Sequence, residues 1–264
     1  MVFLKPYDST MTTTSDGHTT GNPAAGTAVS GLHARVLEDL GLAICEGRLA
    51  AGEILRTEQF EEKLAVSRSV IREVLRVLSA MGMVAPRRRV GVQILPVQSW
   101  NLFDPLIIRW RLATSERLSQ LRSLAELRTA VEPQAARLAA GRAAPGQAAD
   151  LLRLSGGMWA AGKTGNAAEF LRLDVQFHQL LLTASGNEMF AQLHRLVAEV
   201  LTGRTHYGLV PEVPHEEALQ LHMDIALAVQ AGDAASAQAA MERIVERSME
   251  ETTDYWARHA DPGA

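Results

Sequence analysis

Asp174 and His178 are spaced i, i+4 in a stretch whose helical wheel collects Arg172, Gln176, Gln179 and Thr183 into one narrow polar arc. Both fall outside that arc, among Leu171, Leu173, Val175, Phe177 and Leu180 to Leu182. His222 repeats the anomaly among Ala218, Ile225, Ala226 and Val229. A buried carboxylate without a partner is costly, so an inward Asp asks for a cation. A lone inward His is usually a satisfied core residue. An inward Asp-x3-His pair with a second inward His is instead a donor set for a divalent metal. Zinc comes first, since it takes imidazole nitrogen and carboxylate oxygen and leaves a position for water. Two arginines break the pattern in the same way. Arg128 falls in the stripe of Leu121, Leu124, Val131 and Ala135, and Arg204 continues Leu193, Leu196, Val197, Val200 and Leu201. A permanent guanidinium charge facing a bundle interior needs an anion, and a carboxylate is its bidentate mate. That carboxylate is either internal, on Glu132 or Asp174, or belongs to an organic acid ligand, unless the arginine reaches solvent from the end of its helix.

A second chemistry lies nearer the N-terminus. The whole chain has 26 basic and 30 acidic residues, a net charge of −4, yet residues 30–95 are weakly basic. There, Ser67 can cap a helix reaching about Met81, with Ile71, Val74, Leu75, Leu78 and Met81 on one stripe. Arg68, Arg72 and Arg76 line the opposite side. Two short β-branched runs flank Arg87-Arg88-Arg89 and read as a hairpin. In a helix-turn-helix the second helix enters the major groove with its N-terminal turn at base edges. Ser67, Arg68 and Ser69 stand at that turn, Arg72 follows one turn later, and the wing arginines suit phosphate or minor-groove contact.

The elements that must carry these residues follow from the same patterns. Residues 1–29 are rich in Thr, Ser, Gly and Asn without apolar periodicity and are expected to be a disordered tail. Residues 30–96 read as a winged helix-turn-helix: a first helix from Ser30, a short second one (Glu58–Leu64) capped by Thr57, the helix after Ser67, and the hairpin. A connector, 97–114, leads to an all-helical region, 115–258. Its helices are expected at 115–143, 147–163, 166–185, 187–206, 215–231 and 233–257, with short breaks that imply an antiparallel bundle. The fold class is therefore mainly α. A single cysteine, Cys45, excludes an intramolecular disulfide, and no apolar run reaches the ~20 residues of a membrane span. The expectation is a cytoplasmic protein without a membrane partner.

With those residues in place, the segment "ICEGRLAAGEILRTEQFEEKLAVSRSVIREVLRVLSAMGMVAPRRRVGVQIL" resembles the DNA-binding domain of GntR-family bacterial transcription regulators. Ala51 departs from the proline the family usually places before this glycine. The resemblance implies operator contacts by Ser67, Arg68, Ser69 and Arg72, with Arg56 near a further contact region and Arg89 and Gly91 on the wing. The stretches "ELRTAVEPQAARLAA", "LDVQFHQLLLTASGN" and "LHMDIALAVQAGDAASAQAAMERI" resemble the FCD effector domain of the FadR subfamily. "WNLFDPLIIRW" resembles the branch that responds to galactonate and other sugar acids. Many such domains hold a divalent metal with one Asp and three His. Asp174, His178 and His222 match three of these ligands, and Ile244 stands at the fourth. The resemblance implies a homodimeric repressor of operator DNA, not an enzyme, that answers to a small organic acid at Arg128 and Arg204. Two other readings stay open at this point: a metal-dependent enzyme on the helical bundle, and a regulator of fatty acyl thioesters.

Overall fold

The computed structural model describes residues 24–56, 66–209, 211 and 214–259. The Thr57-capped second helix and the first part of the N-terminal tail lie outside those residues. Helix α1 (Ala24–Cys45) begins earlier than the apolar pattern does, so residues 24–29, expected in a disordered tail, are helical. Their Ala, Gly and Thr residues have no apolar face, which is why periodicity starts later than the helix. Val36, Leu40 and Ile44 of α1 bury against Val70, Ile71, Val74 and Leu78 of α2 (Arg68–Ala80). Ser67 holds the N-cap backbone position of α2, but its hydroxyl pairs with Ser69 Oγ at 2.9 Å instead of a backbone N–H.

The wing is β2 (Val84–Arg87) and β3 (Gly91–Ile94), antiparallel with Val84 opposite Ile94. A third strand that the sequence reading did not include, β1 (Ile54–Leu55), joins the free edge of β3 and gives the order β1-β3-β2. Two residues are too few to show a period of two. Gly91 explains itself here: its φ is +134°, and a Cβ on it would lie 2.1 Å from the Leu55 carbonyl oxygen. Only glycine lets β1 and the turn into β3 approach this closely.

What was read as a connector contains a 3₁₀ turn (Val97–Ser99) and α3 (Pro105–Leu112), started by Asp104, whose side chain accepts from Leu106 N at 2.9 Å. This helix belongs to two cores at once. Ile107 and Trp110 bury in the winged-helix core, while Ile108 and Leu112 bury in a cluster with Leu121, Val197, Val200 and Leu201. The remaining helices are α4 (Arg117–Arg142), α5 (Pro145–Lys163), α6 (Ala167–Ala184), α7 (Glu188–Gln192), α8 (His194–His206), α9 (Glu216–Ala231) and α10 (Ala234–His259). The helix expected over 187–206 is broken at Leu193 into α7, capped by Asn187, and α8. Met158, Phe177, Leu181, Ile225 and Met241 form the deepest part of the bundle core.

Trp110 is fully buried and lies over Gly41 of α1, where an added Cβ would meet its ring at 2.5 Å. Gly41→Ala gains up to ~1 kcal/mol of helix propensity but forces apart the joint between the two cores, at a cost of ~1–3 kcal/mol. The variant is expected to melt at a lower temperature than the wild type. An unchanged or raised melting temperature would show that α3 can slide off α1 freely.

Candidate functional site

Four helices bring the inward polar residues together. Arg128 and Glu132 come from α4, Asp174 and His178 from α6, Arg204 from α8 and His222 from α9, and all six are buried. All but Glu132 fall on apolar stripes by spacing alone, and those stripes face a common interior. With Ile244, Arg247, Ser248 and Glu251 of α10, all but Glu132 line a cavity of about 590 Å³, closed on another side by Gly208, Pro211, Pro214 and His215.

The Asp/His/His group has the form of a donor set. Asp174 Oδ1 lies 3.4 Å from His178 Nε2 and 3.2 Å from His222 Nε2. Asp174 Oδ1 and His222 Nε2 are fully enclosed yet have no aligned hydrogen bond among the described residues. The edge of a tetrahedron with metal–ligand bonds of ~2.0–2.1 Å is ~3.3 Å, so these separations suit atoms that share a cation. The far nitrogens also have neighbours: His222 donates from Nδ1 to the Ala218 carbonyl at 2.7 Å, and His178 Nδ1 lies 2.7 Å from the Glu132 Oε2 charge, though without an aligned hydrogen bond among the described residues. Ring nitrogens held from behind leave Nε2 of each imidazole toward the Asp, as metal-ligating histidines require. Phe177 sets its ring edge-on to both imidazoles, at 6.0 and 5.2 Å between centroids, and closes the apolar side. The chemistry of these residues fits a divalent transition metal. Ile244 lines the same cavity and offers no fourth donor.

Electrostatics separate the two arginines. Arg128 is clamped by Glu132, with Nε 2.5 Å from Oε1 and Nη2 3.3 Å from Oε2. Its charge is thus already answered by one of the two internal carboxylates that the spacing offered. Arg204 is different. One hydrogen bond, from Nη2 to Glu251 Oε2 at 3.2 Å, is recorded for its side chain, and its Nε is buried without a partner among the described residues. Burial and the neighbouring charge of Arg128 bring its pKa down to about 10 despite Glu251. A guanidinium this poorly compensated can accept an anion.

The carboxylates are held ionised. Burial by itself would raise Asp174, but the contacts of His178 and His222 outweigh it and keep the carboxyl far below the usual range. For Glu132 burial also works upward, and Arg128 with His178 reverses it to about 2. Burial pulls His178 downward, and Glu132 with Asp174 overcomes this to about 9. Glu132, Ser248 and Glu251 were not singled out as site residues by sequence reasoning. A usable signal existed: Glu132 is i+4 from Arg128, and Ser248 and Glu251 continue the Ile244 stripe by one and two turns.

On the winged-helix domain, Ser67, Arg68, Ser69 and Arg72 stand exposed along one face of α2. Arg76, the last of that row, is drawn back by Glu73, with Nε 3.0 Å from Oε2. At the wing, Arg87 donates to Gln93 at 2.8 Å, whereas Arg88 and Arg89 are exposed at the turn, Arg89 with a left-handed φ of 63°. Arg56 is exposed immediately after β1. No helix among the described residues is long and apolar enough to cross a membrane.

Known proteins share this plan. Residues 32–94 match the bacterial regulatory proteins of the gntR family, and residues 123–247 match the FCD domain. The chain is 31% identical over 216 residues to the galactonate operon transcriptional repressor of Escherichia coli K12, covering 80% of this chain and 92% of that protein. It is 30% identical over 207 residues to the HTH-type transcriptional regulator LutR of Bacillus subtilis 168, covering 75% and 90%. The solved structure of E. coli McbR/YncC has the same fold, with a TM-score of 0.50 at 18% identity over 85% of this chain and 98% of that one.

The titrating cluster sets a pH dependence for the metal-free protein. A His raised from 6.5 to about 9 gives stabilisation that is complete below 6.5 and is lost as pH rises through about 9. Glu132, lowered from 4.5 to about 2, gives stabilisation that is complete above 4.5 and is lost as pH falls through about 2. The chelator-treated chain is therefore expected to melt at least ~5 °C lower at pH 9 than at pH 6.5. His178→Asn removes most of that slope in a circular-dichroism melt. A wild-type melting temperature that is flat over this range would mean a neutral His178.

Proposed function

Because the chain belongs to the GntR family of bacterial regulatory proteins and carries an FCD domain, we propose that it is a cytoplasmic repressor that holds its operator as a homodimer and releases it on binding a small carboxylate. The chain is a transcriptional regulator, as its relatives are, and not an enzyme. The observation that carries the effector reading is the buried, under-compensated Arg204 beside an Asp/His/His donor set in one cavity. A sugar acid suits both halves: its carboxylate answers Arg204 and Arg128, and its hydroxyls match the polar atoms around them. The relative named for the galactonate operon supports that choice of class.

Asp174, His178 and His222 would hold a divalent metal, zinc first among candidates. When bound, the metal supplies a positive centre with open positions for oxygen donors. The remaining work is done by the chain. An acid seated on Arg204 pulls on α8, and α8 is fastened to α3. Arg109 of α3 lies 3.0 Å from Glu199 of α8, and a Cβ on Gly203 would lie 2.7 Å from the Leu112 side chain. Arg117 donates to the Leu112 carbonyl and lies 3.7 Å over the Tyr207 ring at the end of α8. Because α3 also fills the DNA-binding core with Ile107 and Trp110, a shift of α8 reorients that domain. In a dimer, such a shift changes the spacing of two recognition helices against half-sites one DNA turn apart.

On the operator, Arg68 and Arg72 are assigned to base edges, Ser67 and Ser69 to the groove entrance, and Arg56 and Arg89 to the backbone or minor groove. Gly91 shapes the wing that presents Arg89. Arg72→Ala is expected to weaken operator binding by ~1–3 kcal/mol per half-site without lowering the melting temperature. A shift assay with unchanged affinity and salt slope would remove α2 from the groove.

The effector reading is tested by isothermal calorimetry and operator shift with sugar acids, other hydroxy acids and acyl thioesters, with and without zinc. A sugar acid is expected to bind ~5–150-fold more tightly with zinc present and to release operator. Arg204→Met should keep the fold and lose that binding. Release by an acyl thioester alone, or full effector affinity in Arg204→Met, would overturn the reading.

A further inference from the structure

Glu132 touches both halves of the proposed site and belongs to neither. It is 1% exposed, and it sits behind the wall formed by Arg128 and His178. Its two oxygens are divided between them. Oε1 accepts from Arg128 Nε at 2.5 Å, and Oε2 lies in ion-pair contact with His178 Nδ1 at 2.7 Å, off hydrogen-bond alignment, with Arg128 Nη2 at 3.3 Å. The other end of the His178 ring points Nε2 at Asp174 Oδ1, 3.4 Å away. The other end of the Arg128 guanidinium faces the cavity, where Nη1 lies 3.5 Å from Ser248 Oγ.

We propose that Glu132 is the positioning residue that joins the effector-binding arginine to the metal donors. This rests on the reading of the cavity as a metal and carboxylate site. Through Oε2 it keeps the His178 proton on Nδ1, so that the Nε2 lone pair is the one offered to a cation, and it makes the imidazole a stronger donor. Through Oε1 it holds Arg128 in the orientation that presents Nη1 to the cavity. One carboxylate shared in this way makes the two events depend on each other. An anion that draws on Arg128 leaves more of the Glu132 charge to His178, and the metal donors strengthen when the acid arrives.

A simpler role would be the neutralisation of Arg128 alone. That role needs no contact with His178, and it predicts that removing both charges together costs the metal site nothing. The two roles part company in the double variant Arg128→Met with Glu132→Gln, which removes the paired charges together, leaves His178 its Asp174 partner and preserves side-chain volume closely. The test is zinc titration by calorimetry into the full-length wild type, Glu132→Gln and the double variant. Melting curves of the metal-free proteins monitor the fold, and cobalt(II) absorption spectra report donor geometry.

Glu132→Gln and the double variant are both expected to bind zinc ~10–100-fold more weakly than wild type, with altered cobalt bands. Should Glu132→Gln fail to fold because its buried guanidinium is stranded, the double variant carries the test. Wild-type zinc affinity and an unchanged cobalt spectrum in the double variant overturn the positioning role while the metal reading stands. A wild-type chain that takes up no zinc overturns both together.

Discussion

The buried Glu132 carboxylate is the constraint around which the bundle is arranged. Moving an ion of that size out of water costs several kcal/mol even after relaxation, and only close partners return it. Arg128 supplies one partner from the preceding turn of the same helix, and His178 supplies the other across the bundle from α6. His178 then stands against Asp174, and Asp174 against His222, so the charge chain runs from α4 through α6 to α9. No link can be removed without exposing the next to an apolar interior. Buried ion pairs of this kind are weak grounds for stability, and a hydrophobic core of equal volume would often be firmer. Their persistence along apolar stripes points to binding.

Arg204 is the place where compensation is left incomplete. Glu132 satisfies Arg128 from two directions, whereas Arg204 has, among the described residues, one 3.2 Å hydrogen bond to Glu251 and an Nε without a partner. The same helix turn carries Gly203 against Leu112, so the most exposed electrostatic need in the cavity sits directly over the joint with α3. The joint is tight because Trp110 leaves no room for a side chain at Gly41. A small motion at α8 therefore meets rigid packing at α3, and rigid packing transmits displacement instead of absorbing it.

The DNA-facing surface shows the opposite economy. Arg76 and Arg87 are folded back onto Glu73 and Gln93, while Arg72, Arg88 and Arg89 project outward. Internal partners thus sort a row of similar cations into those held by the protein and those left exposed to solvent, as phosphate contact would require. The net charge of −4 conceals this arrangement, because the basic residues are denser in this segment while the acids are spread evenly along the chain.

Much of this was legible in the sequence because burial and periodicity are local properties. Asp174, His178, His222, Arg128 and Arg204 each announced themselves as polar residues on apolar stripes, and helix spacing alone placed them inward. The recognition helix, the wing and the breaks between long helices were readable for the same reason. What spacing could not express was pairing between distant segments. It offered Arg128 a carboxylate without choosing between Glu132, Asp174 and a ligand, and only the juxtaposition of α4 with α6 placed Glu132 between Arg128 and His178. The two-residue β1 was invisible because its partner, β3, lies far along the chain. The connector read as a link because nothing local reveals that Ile107 and Ile108, adjacent in sequence, enter different cores. A periodic pattern states which side of a helix is buried, and the tertiary structure decides against what.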